Sequence, residues 1–265
     1  MRESIPPLQD FGISYEVTIV SAHRTPARLV AYDHASGLGL LRPTRTLEGV
    51  TPMSLGSAAD VSNRDSVMLL PFGGRDGATV STVVSKRRFT ASWEYMLESA
   101  LYVAPPTLRW AGAAMVDRQG RLVGIGSLLL RSVSQQGQLP GNLFVPVDVI
   151  KPILPDLIAQ GRRKEEDRPW LGLGTEEVQG HLFVTTISTG GPADKAGIKQ
   201  GDIVVSVGSD GVTTQEAFYR KLWTSGSAGA RIALRVLQGA ELRTITVDSI
   251  ARERYFTSDT SDTRK

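Results

Sequence analysis

The sequence predicts a mainly β domain followed by a smaller α+β unit. Three observations carry this. From Ile13 to Gly161, short apolar strands follow one another, each bounded by Gly, Pro, Asp or Asn, the punctuation of an all-β barrel or sandwich. Residues 162–168, RRKEEDR, are charged and lack apolar anchors, as a linker does. From Pro169 onward, strand patterns alternate with two short helical ones. At 265 residues the chain exceeds one ordinary domain. With 41% hydrophobic and 22% charged residues it can build real cores and is not disordered throughout.

The elements follow in order. SYEVTIV and ARLVAYD flank a polar turn at Ser21 to Pro26 and read as a hairpin. GLGLLRP, DSVMLLPFGG, ATVSTVVSKRR, ALYVAPP and RLVGIGSLLL continue the strand series. The apolar residues at 149, 150, 153, 154, 157 and 158 then take helical spacing. Asp148 is its expected N-cap and Gly161 its left-handed C-cap. Pro152 and Pro155 predict irregularity there. After the linker come strand HLFVTTIS, helix GPADKAGI, strand DIVVSVGSDG, helix TTQEAFYRKLW, and strands ARIALRVLQG and ELRTITVDSI. The expected boundaries are 1–161 for the β domain, 162–168 for the linker, 169–254 for the second unit and 255–265 for a disordered polar tail.

Several function classes lose support from composition. Net charge is +3, and basic residues mostly sit beside acidic ones, which describes solvated faces and not a nucleic-acid stripe. The absence of cysteine excludes disulfides, thiolate catalysis and cysteine metal sites. With no paired-His spacing, phosphate-cradling loop or carboxylate cluster, no metal and no cofactor is expected. No window approaches the ~20 apolar residues of a membrane span. The start, MRESIPPLQDFG, has no apolar run and does not read as a signal peptide. His23, His34 and His181 read as surface polar residues.

STGGPADKAGIKQGDIVVSVGSDGVTT (188–214) carries a resemblance. Pro192 suits the first turn of a short helix, Gly197 can end it at positive φ, and Gly201-Asp202 turns into a buried strand. Residues 169–250 resemble a PDZ domain of the kind found in bacterial proteases. The resemblance gives WLGLG (170–174) a function. Successive amides around Gly172 would hold a C-terminal carboxylate in an anion nest. Leu171 and Leu173 would line a pocket for the last side chain, beside Trp170. The peptide would add as a strand along residues 173–176. Phe218 and Leu222, four apart on the helix capped by Thr213 or Thr214, would form the opposite wall. Taken alone, WLGLG is no more than a kinked strand, and Phe218 and Leu222 are core.

RWAGAAMVDRQGRLVGIGS (109–127) is small on both sides of a turn. It resembles the nucleophile segment of chymotrypsin-like serine proteases of the HtrA (Deg) family. NLFVPVDVIKPILPDLIAQGR resembles the close of that family's second barrel, and VTIVSAHRTPARLVAYDHASGLGLLRP the stretch bearing its catalytic aspartate. The resemblance implies a double β-barrel and a PDZ domain, trimer-based assembly and a periplasmic setting. The family nucleophile falls on Ala111, which has no oxygen to attack a carbonyl. The family aspartate falls on Gly37; Asp33 matches a different position. The oxyanion hole would use the amides of Arg109 and Ala111, with arginine where the family has glycine. No histidine matches the catalytic one. The small residues at 111–114 read as a former substrate cleft. A first barrel beginning at Ile13 is short of its opening strands. The expectation is that the true start lies upstream; strands supplied by another chain, or a rearranged half, are the alternatives. The resulting expectation is a proteolytically inactive HtrA-like protein that binds C-terminal or extended peptide segments. The alternative is an active serine endopeptidase whose key residues are missing or mutated.

Overall fold

The computed structural model describes residues 15–18, 24–72, 74–165 and 167–258. It falls into two compact units. One comprises Met1–Phe89 and Leu97–Lys164, the other Thr90–Met96 and Glu165–Lys265.

The first unit is the expected mainly β frame. Strands β1 (Tyr15–Thr18), β2 (Arg24–Asp33) and β3 (Leu38–Pro43) form an antiparallel sheet in that order. The β2–β3 turn closes on Gly37, at φ 71°, whose N–H donates to the Asp33 carbonyl at 2.8 Å. Strands β4 (Ser66–Leu70), β5 (Thr79–Ala91), β6 (Tyr95–Ala104), β7 (Ala114–Val116), β8 (Leu122–Leu130) and β9 (Gly141–Pro146) close into a barrel, ordered β4-β5-β6-β9-β8-β7. Its interior is packed with Leu69, Val83, Leu101, Val103, Met115, Val123 and Phe144. β5 and β6 are longer than the sequence patterns implied and meet in a tight turn at residues 92–94.

Two expectations need correction here. Asp148 does not cap a helix. It lies in a 3-10 turn, Val147–Val149, and the α-helix α1 begins only at Leu154 and runs to Gln160. Pro152 has no N–H to donate and disfavours helical geometry in the residue before it. Pro155 is accepted because it falls in the first turn, where N–H groups have no helical partner. The Asp148 carboxylate instead accepts the Ala58 amide at 2.6 Å and Lys151 Nζ at 3.2 Å. Gly161 does close α1, at φ 73°. The linker is also anchored at one residue. Arg163 forms a two-point ion pair with the buried Asp33, Nε to Oδ1 at 2.5 Å and Nη2 to Oδ2 at 2.8 Å.

In the second unit, β10 (Leu173–Val178), β11 (His181–Ile187), β12 (Ile203–Val207), β14 (Arg231–Gln238) and β15 (Glu241–Asp248) form one antiparallel sheet in that order, with β13 (Asp210–Gly211) beside β12. Helix α2 (Pro192–Lys195) starts on Pro192 as expected. Helix α3 (Gln215–Thr224) is capped by Thr214, whose Oγ1 accepts the Ala217 amide at 3.1 Å. Leu182, Val204, Phe218, Tyr219, Leu222, Ile232, Leu234 and Val236 make the core. A last helix, α4 (Arg252–Ser258), covers residues expected in the disordered tail.

Candidate functional site

WLGLG leads into β10, and Gly172 takes φ 75°, a left-handed conformation that favours glycine. A Cβ there would lie 2.9 Å from Trp170 Cη2. The bend aims three successive amides at one place. Glu94 Oε1 accepts from Leu171 N at 3.1 Å, Gly172 N at 2.7 Å and Leu173 N at 3.2 Å; Oε2 accepts from Leu171 N at 3.2 Å. The three amides of residues 171–173 thus converge on one carboxylate, and it belongs to the same chain.

Glu94 belongs to the turn between β5 and β6, which is part of the second unit. The turn is held at several points. Tyr219 Oη, from α3, donates to the Ala91 carbonyl at 2.6 Å and accepts the Glu94 amide at 3.2 Å. The Thr175 amide of β10 donates to the Ser92 carbonyl at 3.1 Å. Arg252 Nη1 donates to the Trp93 carbonyl at 3.2 Å. Met96 packs into the second unit's core. Glu94 itself sits at φ 56°, costly for a residue with a Cβ. Burial pushes its carboxyl up to about 7, against the pull of the three amides and the Arg252 charge.

The other residues named from the sequence are here but enclosed. Leu171, Leu173, Phe218 and Leu222 are each no more than 2% exposed and belong to the core. Trp170 pairs with Ile250 and leans on Tyr255, ring centroids 4.9 Å apart. Sequence reasoning missed Glu94, Tyr219, Ser92 and Arg252. An acidic residue between two aromatics at a hairpin turn carries no pattern that points to a partner 77 residues away.

The segment around Ala111 has a different geometry from the one its small residues suggested. The space beside Gly126 is filled by the chain itself. A Cβ on Gly126 would stand 1.9 Å from the Trp110 carbonyl oxygen. Gly126 N donates to the Ala113 carbonyl, and Gly112 N to the Gly126 carbonyl. Gly126 thus makes room for the 110–113 backbone and Gly124 for the Met115, Phe144 and Leu101 side chains, and no cleft need be invoked to explain them. Ala111 is exposed. The Arg109 amide donates to Thr107 Oγ1 at 3.3 Å, and its guanidinium reaches the Phe72 carbonyl at 3.2 Å. His34 meets Tyr32 edge-on at 4.8 Å, His181 is exposed at the start of β11, and His23 lies outside the described residues. No cluster of three potential metal ligands occurs among the described residues.

Comparisons with known proteins match these two regions. The trypsin-like peptidase domain family matches residues 8–125, and the PDZ domain family residues 169–248. A probable periplasmic serine endoprotease, DegP-like, of Hahella chejuensis is 26% identical over 207 residues, covering 72% of this chain and 42% of its own length. The serine protease PepD of Mycobacterium tuberculosis is 25% identical over 231 residues, 82% of this chain and 49% of its own. The chain thus spans about half or less of these relatives. Among solved structures, the HtrA-type protease AlgW with a decapeptide is similar at TM-score 0.56 and 20% identity, over 90% of this chain and 75% of that one. The serine endoprotease from Yersinia pestis is similar at TM-score 0.51 and 20% identity, over 89% and 79%.

Proposed function

We propose, from the premise that the chain belongs to the HtrA-type family of trypsin-like peptidases carrying a PDZ domain, that it captures chain ends and does not cut them. One observation carries the capture: the Leu171, Gly172 and Leu173 amides converge on a single carboxylate. A peptide's terminal carboxylate offers the same two oxygens. The residues before it would extend beside β10, taking the hydrogen bond that the Thr175 amide now gives to the Ser92 carbonyl. Exposed C-termini or extended segments of unfolded proteins are the partners this chemistry fits, in quality control or regulation, with the family's homo-oligomeric assembly as the setting.

The loss of cutting is read from three residues. Ala111 stands where the family's attacking serine would be. Gly37 stands where its aspartate would be, at a φ that serves the β2–β3 turn. The Arg109 amide, needed in the oxyanion hole, is engaged by Thr107. Loss of one triad member costs on the order of 10⁴-fold in rate, and what remains depends on an intact oxyanion hole.

Two measurements test the reading. Peptides ending in an apolar residue should bind the chain as free acids and not as C-terminal amides; equal affinities would remove the nest from the account. The Ala111→Ser variant, offered casein and a fluorophosphonate probe, should neither cleave nor label. Labelling would favour the other reading, an endopeptidase that needs only its serine.

A further inference from the structure

We propose that Glu94 is a built-in ligand of the carboxylate nest, filling it in place of a foreign chain end and holding the peptide site shut. The inference rests on reading the second unit as a chain-end reader and adds how that reader is regulated.

The imitation extends beyond one carboxylate. An incoming strand must run antiparallel to β10, its end towards the nest. The turn does this. Ser92 lies against Thr175, further along β10, and Glu94 follows at residues 171–173, where β10 begins. The Ser92 carbonyl takes the hydrogen bond that a peptide backbone would take. The Glu94 side chain supplies the carboxyl oxygens that a terminus would supply. Tyr219 clamps the turn on both sides through Ala91 and Glu94. A solvent-facing hairpin turn needs neither a buried carboxylate nor a tyrosine clamp of this kind. The left-handed backbone and the buried carboxylate are costs that the nest's three hydrogen bonds offset. A foreign carboxylate cannot use those amides while Glu94 does, so the two compete.

The test uses the full chain and a fluorescent peptide with an apolar free C-terminus, beside its C-terminal amide. Glu94→Gly removes the carboxylate and suits the positive φ, so the turn loses its ligand without new backbone strain. Glu94→Gln keeps the shape and an acceptor oxygen, as the protonated side chain does. If the open form is a tenth or less of the population, Glu94→Gln at pH 6 should stay close to the unaltered chain, while Glu94→Gly should bind the acid about tenfold tighter or more, and the amide no better. Tyr219→Phe keeps Glu94 but loosens the turn, and should shift affinity the same way by a smaller factor. Acid binding of equal strength in the unaltered chain and Glu94→Gly would overturn the built-in ligand while leaving the chain-end reader standing. No acid preference in any form would remove the reader itself. The self-contact is then judged by amide hydrogen exchange. Leu171, Gly172 and Leu173 should be protected in the unaltered chain and exchange faster in Glu94→Gly; equal rates would overturn it too.

Discussion

A methyl group at residue 126 would sit 1.9 Å from the Trp110 carbonyl oxygen, so the barrel depends on a missing side chain. Backbone cannot yield as a flexible side chain can. Gly126→Ala should therefore destabilise the first unit by about 3 kcal/mol, the upper range for overpacking, measurable by urea unfolding. Asp33 makes a second prediction at this scale. Burial alone would raise its carboxyl, but the Arg163 guanidinium and the Ser36 amide and hydroxyl hold it below its ordinary value. A carboxyl lowered in the folded state adds stability above its ordinary range and loses it as pH falls through the lowered value. Asp33→Asn should cost about 2 kcal/mol at neutral pH, and the difference from the unaltered chain should vanish in strong acid. Arg163 was read from sequence as part of a solvated charge run, because nothing local distinguishes it from Arg162.

At the scale of elements, the turn joining β5 and β6 has a pH dependence with a definite sign. The Glu94 carboxyl stands at about 7 in its nest and near 4.5 when free. The docked turn thus binds its proton more tightly than the released one. Docking is fully favoured below the free value and weakens as pH rises through about 7. The gap corresponds to about 3 kcal/mol. The charged and titratable groups facing it are Arg252 from α4 and Tyr219 from α3, whose hydroxyl burial pushes higher still. Peptide affinity of the unaltered chain should rise between pH 5 and pH 8 and stay flat in Glu94→Gln; a flat profile in both would contradict the assignment. The contrast between β10 and this turn explains what was legible. Pro192, Gly197 and Thr214 announce themselves because a helix start or stop is a local matter of φ and hydrogen bonding. Gly172 is legible for the same reason. Glu94 is not, because its partners are set by the fold of residues far along the chain, and its neighbours spell an ordinary turn. Asp148 misled for the opposite reason: it has the chemistry of a cap, but Pro152 decides where α1 can begin.

At the scale of the whole molecule, the second unit is discontinuous in sequence. Thr90–Met96 belongs with Glu165–Lys265, and Met96 is one of the side chains of that core. Met96→Ala should lower the stability of the second unit by about 2 kcal/mol or more, the cost of a cavity in a core. Differential scanning calorimetry of the unaltered chain and the variant would measure it. The same discontinuity has a consequence in time. During synthesis the β5–β6 turn leaves the ribosome before any residue of β10 exists. When the nest forms, its first available carboxylate is tethered, at an effective concentration on the order of millimolar. Cellular chain ends arrive dilute and late, so those that win the seat must be abundant or bind well. A glutamate on a short leash thus sets a threshold below which stray termini pass unnoticed.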